Sequence, residues 1–146
     1  MVDLEPFARL VSGDHGLAVV ALARPDGTAH ASVTNAGVLP HPVTGAPVVG
    51  IVANGSSRKL AYLREHPRAT VVLRAGWQWA AVEGPVELAG PDDPLPGIGA
   101  ERLRLLLREI FTAAGGTHDD FEEYDRVMAA DRRAAVLVTP AKLFKN

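Results

Sequence analysis

The chain has 146 residues, of which 47% are apolar and 22% charged, with a formal net charge of −2 and no cysteine. That size and balance fit one ordinary globular domain, spanning residues 1–146, with one substantial core. A weakly acidic chain offers no broad positive field for nucleic acid. The missing cysteines exclude disulfides, thiolate catalysis and cysteine-held metal clusters, and suit a reducing cytoplasm.

The elements follow in chain order. Asp3 caps a helix whose apolar positions Leu4, Phe7, Leu10 and Val11 recur at helical spacing and which ends at Ser12-Gly13. Acidic Asp3 and Glu5 are unlike the start of a secretory leader. Gly16 to Ala23 reads as a buried strand and is the longest uncharged apolar run, under half of the roughly 20 residues that cross a bilayer. No membrane partner is expected. Arg24-Pro25-Asp26-Gly27 supplies a tight turn, so a hairpin follows.

The returning strand, Thr28 to Asn35, alternates strictly, with Thr28, His30, Ser32 and Thr34 on one face and Ala29, Ala31, Val33 and Asn35 on the other. Such a polar row reads first as the solvated face of an antiparallel sheet. Val48 to Ala53 is a third strand, and Asn54-Gly55-Ser56 breaks it. A two-turn helix runs from Ser57 to Glu65 and is stopped by Pro67. Thr70 to Arg74 and Trp77 to Leu88 are two strands joined by Ala75-Gly76, with Trp77, Trp79 and Ala81 sharing a face. Pro91 to Gly99 reads as a surface connection, and Ala100 to Ala114 as a helix. Thr117 with Asp120 approximates a capping box for a last helix striped by Phe121, Tyr124, Val127 and Met128, before a final strand, Ala134 to Thr139. Strands joined mainly by turns, with few intervening helices, predict a mainly β, six-stranded antiparallel barrel with flanking helices.

Familiar catalytic signatures are absent. Gly97-Ile98-Gly99 fails as a dinucleotide fingerprint because Arg102 takes the third glycine position and no strand precedes it. The five histidines show no metal-binding spacing, and there is neither a nucleophile elbow nor a phosphate loop. Trp77 and Trp79 fit core or interface positions as well as a ligand pocket. What stands out is Asn54-Gly55-Ser56-Ser57-Arg58-Lys59, a glycine turn opening a helix with hydroxyls and two cations in its first turn. Cations at a helix N-terminus oppose the macrodipole by up to about 1 kcal/mol each, and a bound anion reverses that sign. By spacing alone the segment is either a solvated basic helix start or a phosphate site.

Strand, Ser57-Arg58-Lys59, helix, then His66-Pro67-Arg68-Ala69 and a further strand resembles the flavin-phosphate segment of the pyridoxamine 5′-phosphate oxidase-like, FMN-binding split-barrel superfamily. Gly76-Trp77-Gln78-Trp79-Ala80-Ala81-Val82-Glu83-Gly84 and the stretch from Tyr124 to Arg133 resemble its actinobacterial branch that uses the deazaflavin F420. The resemblance implies that Ser57, Arg58 and Lys59 grip the cofactor phosphate. It also implies that Ser32, Val33, Thr34 and Asn35 lie along the ring system and that Trp77 and Trp79 shape a pocket between two subunits of a homodimer. Pyridoxamine phosphate oxidases carry an arginine and a lysine where this chain has Ser32 to Gly37, and a C-terminal substrate arginine pattern that is absent here. The resemblance therefore implies an F420-dependent oxidoreductase acting on a small conjugated organic molecule, with FMN-dependent oxidoreduction or non-catalytic flavin or haem binding as alternatives. In such proteins the cofactor carries the chemistry, so no catalytic side chain and no metal ligand is expected.

Overall fold

A computed structural model describes residues 2–146. Its elements are α1 (Glu5–Ala8), β1 (Leu17–Ala23), β2 (Ala29–Pro40), β3 (Pro47–Ala53), α2 (Arg58–Glu65), β4 (Arg68–Ala75), β5 (Gln78–Ala89), α3 (Ala100–Ala113), α4 (Phe121–Ala130), β6 (Ala134–Val138) and β7 (Lys142–Lys145). All strand pairings are antiparallel, in the order β4-β1-β2-β3-β6-β5, and pairing of β5 with β4 closes the ring. The result is the expected six-stranded antiparallel split barrel with flanking helices. A seventh strand, β7, adds to β5 through Ala80↔Lys145 to Glu83↔Lys142.

Local chemistry explains the corners. Arg24 N–H donates to Thr28 O at 2.8 Å across the β1–β2 turn, and Gly27 takes φ +84°, the left-handed conformation that glycine adopts without a Cβ penalty. Twelve-residue β2 pairs with β1 through its first half and with β3 through its second, so one strand serves both halves of the barrel. The bend falls at Ala36-Gly37, where a Cβ on Gly37 would strike the backbone of Ala113 and Ala114.

Two apolar clusters share β6, whose five residues are all buried. Ala134, Val136 and Val138 face the barrel interior with Phe7, Val20, Ile51, Leu60, Leu63, Val71 and Val82, while Ala135 and Leu137 face α3 and α4 with Leu106, Leu107, Ile110 and Tyr124. Burial on both faces is why this strand reads as an uninterrupted apolar run.

Most boundaries shift by a residue or two from the sequence reading, and four differences are larger or have a distinct cause. The first helix stops at Ala8 and a 3-10 turn spans Val11–Asp14, because the chain must reverse into β1 through His15 (φ 57°) and Gly16 (φ 68°). Strand β2 continues past Asn35 to Pro40 because its second half finds a partner in β3. Asp120, not Thr117, caps α4, its Oδ1 accepting the Glu123 N–H at 3.1 Å. The terminal strand β7 has no counterpart in that reading.

Candidate functional site

The turn after β3 is built to present the start of α2. Asn54 Oδ1 accepts from Ser56 N–H (3.0 Å) and from the Ser56 hydroxyl (2.9 Å), and Gly55 N–H donates to Asp131 O at 3.0 Å. Gly55 lies so close to the Asp131–Arg132 backbone that a Cβ would collide with it. The α2 N-terminus is thereby fixed beside the chain entering β6. Ser57 is its N-cap, its Oγ accepting from Leu60 N–H at 3.4 Å, which leaves the hydroxyl proton free to donate.

Arg58 and Lys59 occupy the first turn and form no ion pair among the described residues. Lys59 is half-buried; burial pushes its ammonium below the usual lysine range, and the nearby Arg133 guanidinium adds to the effect. Arg133 itself reaches Asp131 Oδ2 at 3.3 Å through Nε and 3.1 Å through Nη2.

On β2 the structure reverses the expected sidedness. His30, Ser32 and Thr34 lie opposite Leu22, Val20 and Ala18 of β1 and are half-buried, whereas Ala31, Val33 and Asn35 are exposed. His30 packs edge-on against Tyr62 of α2, with ring centroids 5.4 Å apart. The covering helix is why the polar row is not a solvated face. His30 Nδ1 and Ser32 Oγ are buried without a hydrogen-bond partner among the described residues.

Thr34 and Asn35 open into a cavity of about 420 Å³ that is also lined by Val52, Phe111, Tyr124, Met128 and Arg133, with His15 at its edge. Asn35 Nδ2 donates to His15 O at 2.8 Å. The Tyr124 hydroxyl donates to Leu107 O at 3.0 Å, tying α4 to α3, and burial pushes its pKa up to about 12. Arg133, Tyr124 and Met128 were not among the residues expected at the site. The signal for the first was the Arg132-Arg133 pair standing directly before an apolar strand.

Trp77 and Trp79 lie elsewhere on the protomer. Trp77 is 93% exposed at the β4–β5 turn, and Trp79 projects from the outer sheet face beside Val72 and Arg74. Asn146 holds both, accepting from Trp79 N–H at 3.0 Å and donating to Trp77 O at 2.6 Å. Strand β5 lies opposite β2 in the closed ring, three strands away by either route, and neither tryptophan lines the cavity that Thr34 and Asn35 open into. The same outer face carries a row of directly paired apolar residues, Val33–Val19–Val72–Ala81–Phe144, of which Val33 is 66% and Phe144 49% exposed.

Among the described residues no helix is long and apolar enough to cross a membrane. No protein-family profile matches the chain. Several solved structures do. A pyridoxamine 5′-phosphate oxidase-related FMN-binding protein from Nostoc punctiforme superposes with TM-score 0.70 and 12% identity, covering 99% of this chain and 84% of the other. A conserved hypothetical protein from Mycobacterium tuberculosis gives 0.68 and 18%, with coverages of 99% and 84%. An F420 reductase gives 0.58 and 13%, covering 88% of each chain. The chain thus has the split-barrel fold of the pyridoxamine 5′-phosphate oxidase-like structures.

Proposed function

We propose that this protein is a cytoplasmic homodimeric oxidoreductase that binds the deazaflavin F420 and reduces a small conjugated organic molecule. The observation that carries the reading is the unmatched positive charge at the start of α2. Among the described residues Arg58 and a half-buried Lys59 lack carboxylate partners, and Lys59 is further repelled by Arg133. A phosphate there removes the repulsion and gains charge-assisted bonds worth about 1.5–3 kcal/mol each. The donor set suits a phosphate: a hydroxyl proton, a guanidinium and an ammonium follow one another at a capped helix start.

When bound in its reduced form, the deazaflavin would supply a hydride to the acceptor and a solvent proton would balance the reduction, leaving the cofactor oxidised. The protein's own residues bind and orient. Ser57, Arg58 and Lys59 take the phosphate; the β2 segment Ser32, Val33, Thr34 and Asn35 lies along the ring system beside the cavity that Thr34 and Asn35 line. Phe111, Tyr124 and Met128 exclude water from that cavity. Trp77 and Trp79 serve the site of the opposite subunit, because their own β2 lies three strands away.

Dimerisation through the Val33–Val19–Val72–Ala81–Phe144 row would cover the exposed apolar side chains of Val33, Val19 and Phe144, which flank half-buried Val72 and buried Ala81 on one sheet face. Substituting Val19→Asp sets two carboxylates against the symmetric partner surface. Sedimentation should then report a monomer with weakened cofactor binding; an unchanged dimer would move the interface elsewhere.

The FMN reading is favoured by the FMN-binding neighbour from Nostoc punctiforme. Titrating the purified apoprotein with F420 and with FMN separates the two. Tighter retention of F420 supports the proposal, tighter FMN favours the alternative, and binding of neither overturns both.

A further inference from the structure

A second cavity, of about 460 Å³, opens on the far side of Met128 from the first. Its floor is the end of β5 at Ala89, its walls are Leu103 and Leu107 of α3 and Met128 of α4, and its lip is the Gly90–Gly99 connection through Leu95 and Ile98. Apart from Met128 and Arg133, none of its lining belongs to the cavity assigned to the cofactor. The lip is anchored at both flanks. Arg64 of α2 grips Asp93 with two bonds of 2.8 and 2.9 Å, and Arg132 pairs with Asp92. Backbone bridges Gly90↔Asp93 and Leu95↔Ile98 stiffen it further. The opposite wall is held by Asp125, which bonds Arg104 and Arg108 of α3. The chamber is therefore preformed, and its volume lies in the range of ordinary small-molecule sites.

The charges around it select the ligand. Arg104 is matched by Glu101 and Asp125, Arg64 by Asp93, Arg132 by Asp92 and Arg133 by Asp131. Among the described residues every charged group of the lining, Asp93, Arg104, Asp125 and Arg133, is already paired, so an unpaired ion buried there would be strongly disfavoured. We infer that this second cavity is a binding site for an uncharged, largely apolar small molecule, adjoining the cofactor cleft through the side chains of Met128 and Arg133.

The chain contains only two methionines, Met1 and Met128, so ¹³C-methyl methionine labelling gives a spectrum in which Met128 reports on the wall shared by the two cavities, and the variants below assign the signal to the chamber. The labelled protein, without cofactor, is titrated with Nile red as a neutral apolar probe and with anilinonaphthalene sulfonate as an anionic one. The expected result is saturable Nile red fluorescence with a shift of the Met128 methyl, and at least tenfold weaker binding of the anion. Leu103→Trp, and the rim variant Ala129→Trp chosen because Ala129 is exposed, should each weaken Nile red at least tenfold while leaving F420 and FMN titrations unchanged. Val19→Asp on the outer sheet face should leave Nile red binding intact. A stationary Met128 signal overturns the inference. So does preference for the anion, or dye binding that survives both tryptophan variants and disappears in Val19→Asp. Failure of F420 and FMN to bind the wild type removes the proposed oxidoreductase but leaves this test readable.

Discussion

The two ends of α2 carry the same kind of side chain under opposite conditions. At the C-terminal end Arg64 sits where the helix macrodipole favours a cation and makes a two-point contact with Asp93, raising the guanidinium above its ordinary value. At the N-terminal end Arg58 and Lys59 sit where the dipole disfavours a cation, without a carboxylate and next to another guanidinium. Matched charge is structural, since Arg64 pins the Gly90–Gly99 connection. Unmatched charge at a half-buried position lowers stability unless something outside the chain neutralises it.

The largest effect is expected from erasing the unmatched end. Arg58→Ala with Lys59→Ala should weaken cofactor binding by about 3 kcal/mol or more, at least a hundredfold in a fluorescence titration, while the fold persists. Removing the matched end is milder. Arg64→Ala should cost about 0.5–1 kcal/mol in denaturant unfolding, because Arg64 is itself partly exposed, and should leave cofactor affinity near wild type. Smallest is the change that relieves the repulsion without a ligand: Lys59→Met should raise the thermal midpoint of the unliganded protein by roughly 1–4 °C and reverse to a deficit once cofactor is added.

Alkaline pH sharpens the contrast, because Lys59 and Tyr124 work with opposite signs. Folding lowers the Lys59 pKa, so the unfolded chain holds that proton more tightly. Stability should therefore rise as pH climbs through the depressed value toward the ordinary lysine value of 10.5, and cofactor affinity should fall over the same interval. Folding raises the Tyr124 pKa from 10 to about 12, so the unfolded chain ionises first and stability should be lost as pH rises from 10 through 12. Unfolding profiles of Lys59→Met and Tyr124→Phe against wild type isolate the two contributions.

Much of the barrel was legible because strand alternation, turn residues and Pro67 are local signals. Strand β7 was not, since Lys142-Leu-Phe-Lys gains its extended form only by pairing with Ala80–Glu83, far away in sequence. The polar row of β2 was legible as a row but not in its sidedness, which Tyr62 decides by packing on His30. At the site, Ser57, Arg58 and Lys59 stood out as a cluster against the macrodipole. Arg133 did not, because long-range pairing of β3 with β6, ending at Ala53↔Ala134, and the contact of Gly55 with Asp131 bring the β6 entrance beside α2. Trp77 and Trp79 were visible as a pair, yet their strand order separates them from β2 within one chain.

The seam between β3 and β6, the last slot filled in chain order, joins Val49 to Val138, across well over half of the polypeptide. During synthesis the first five strands emerge with one edge of β3 and one of β5 unpaired, each a template for mispairing with another nascent copy. The insertion carrying α3 and α4 already covers part of the outer layer before β6 arrives, and β6, apolar on both faces, has no stable place except that slot. Truncation before Ala134 should thus yield aggregates rather than a smaller soluble barrel, and refolding should be slow for a chain of this length.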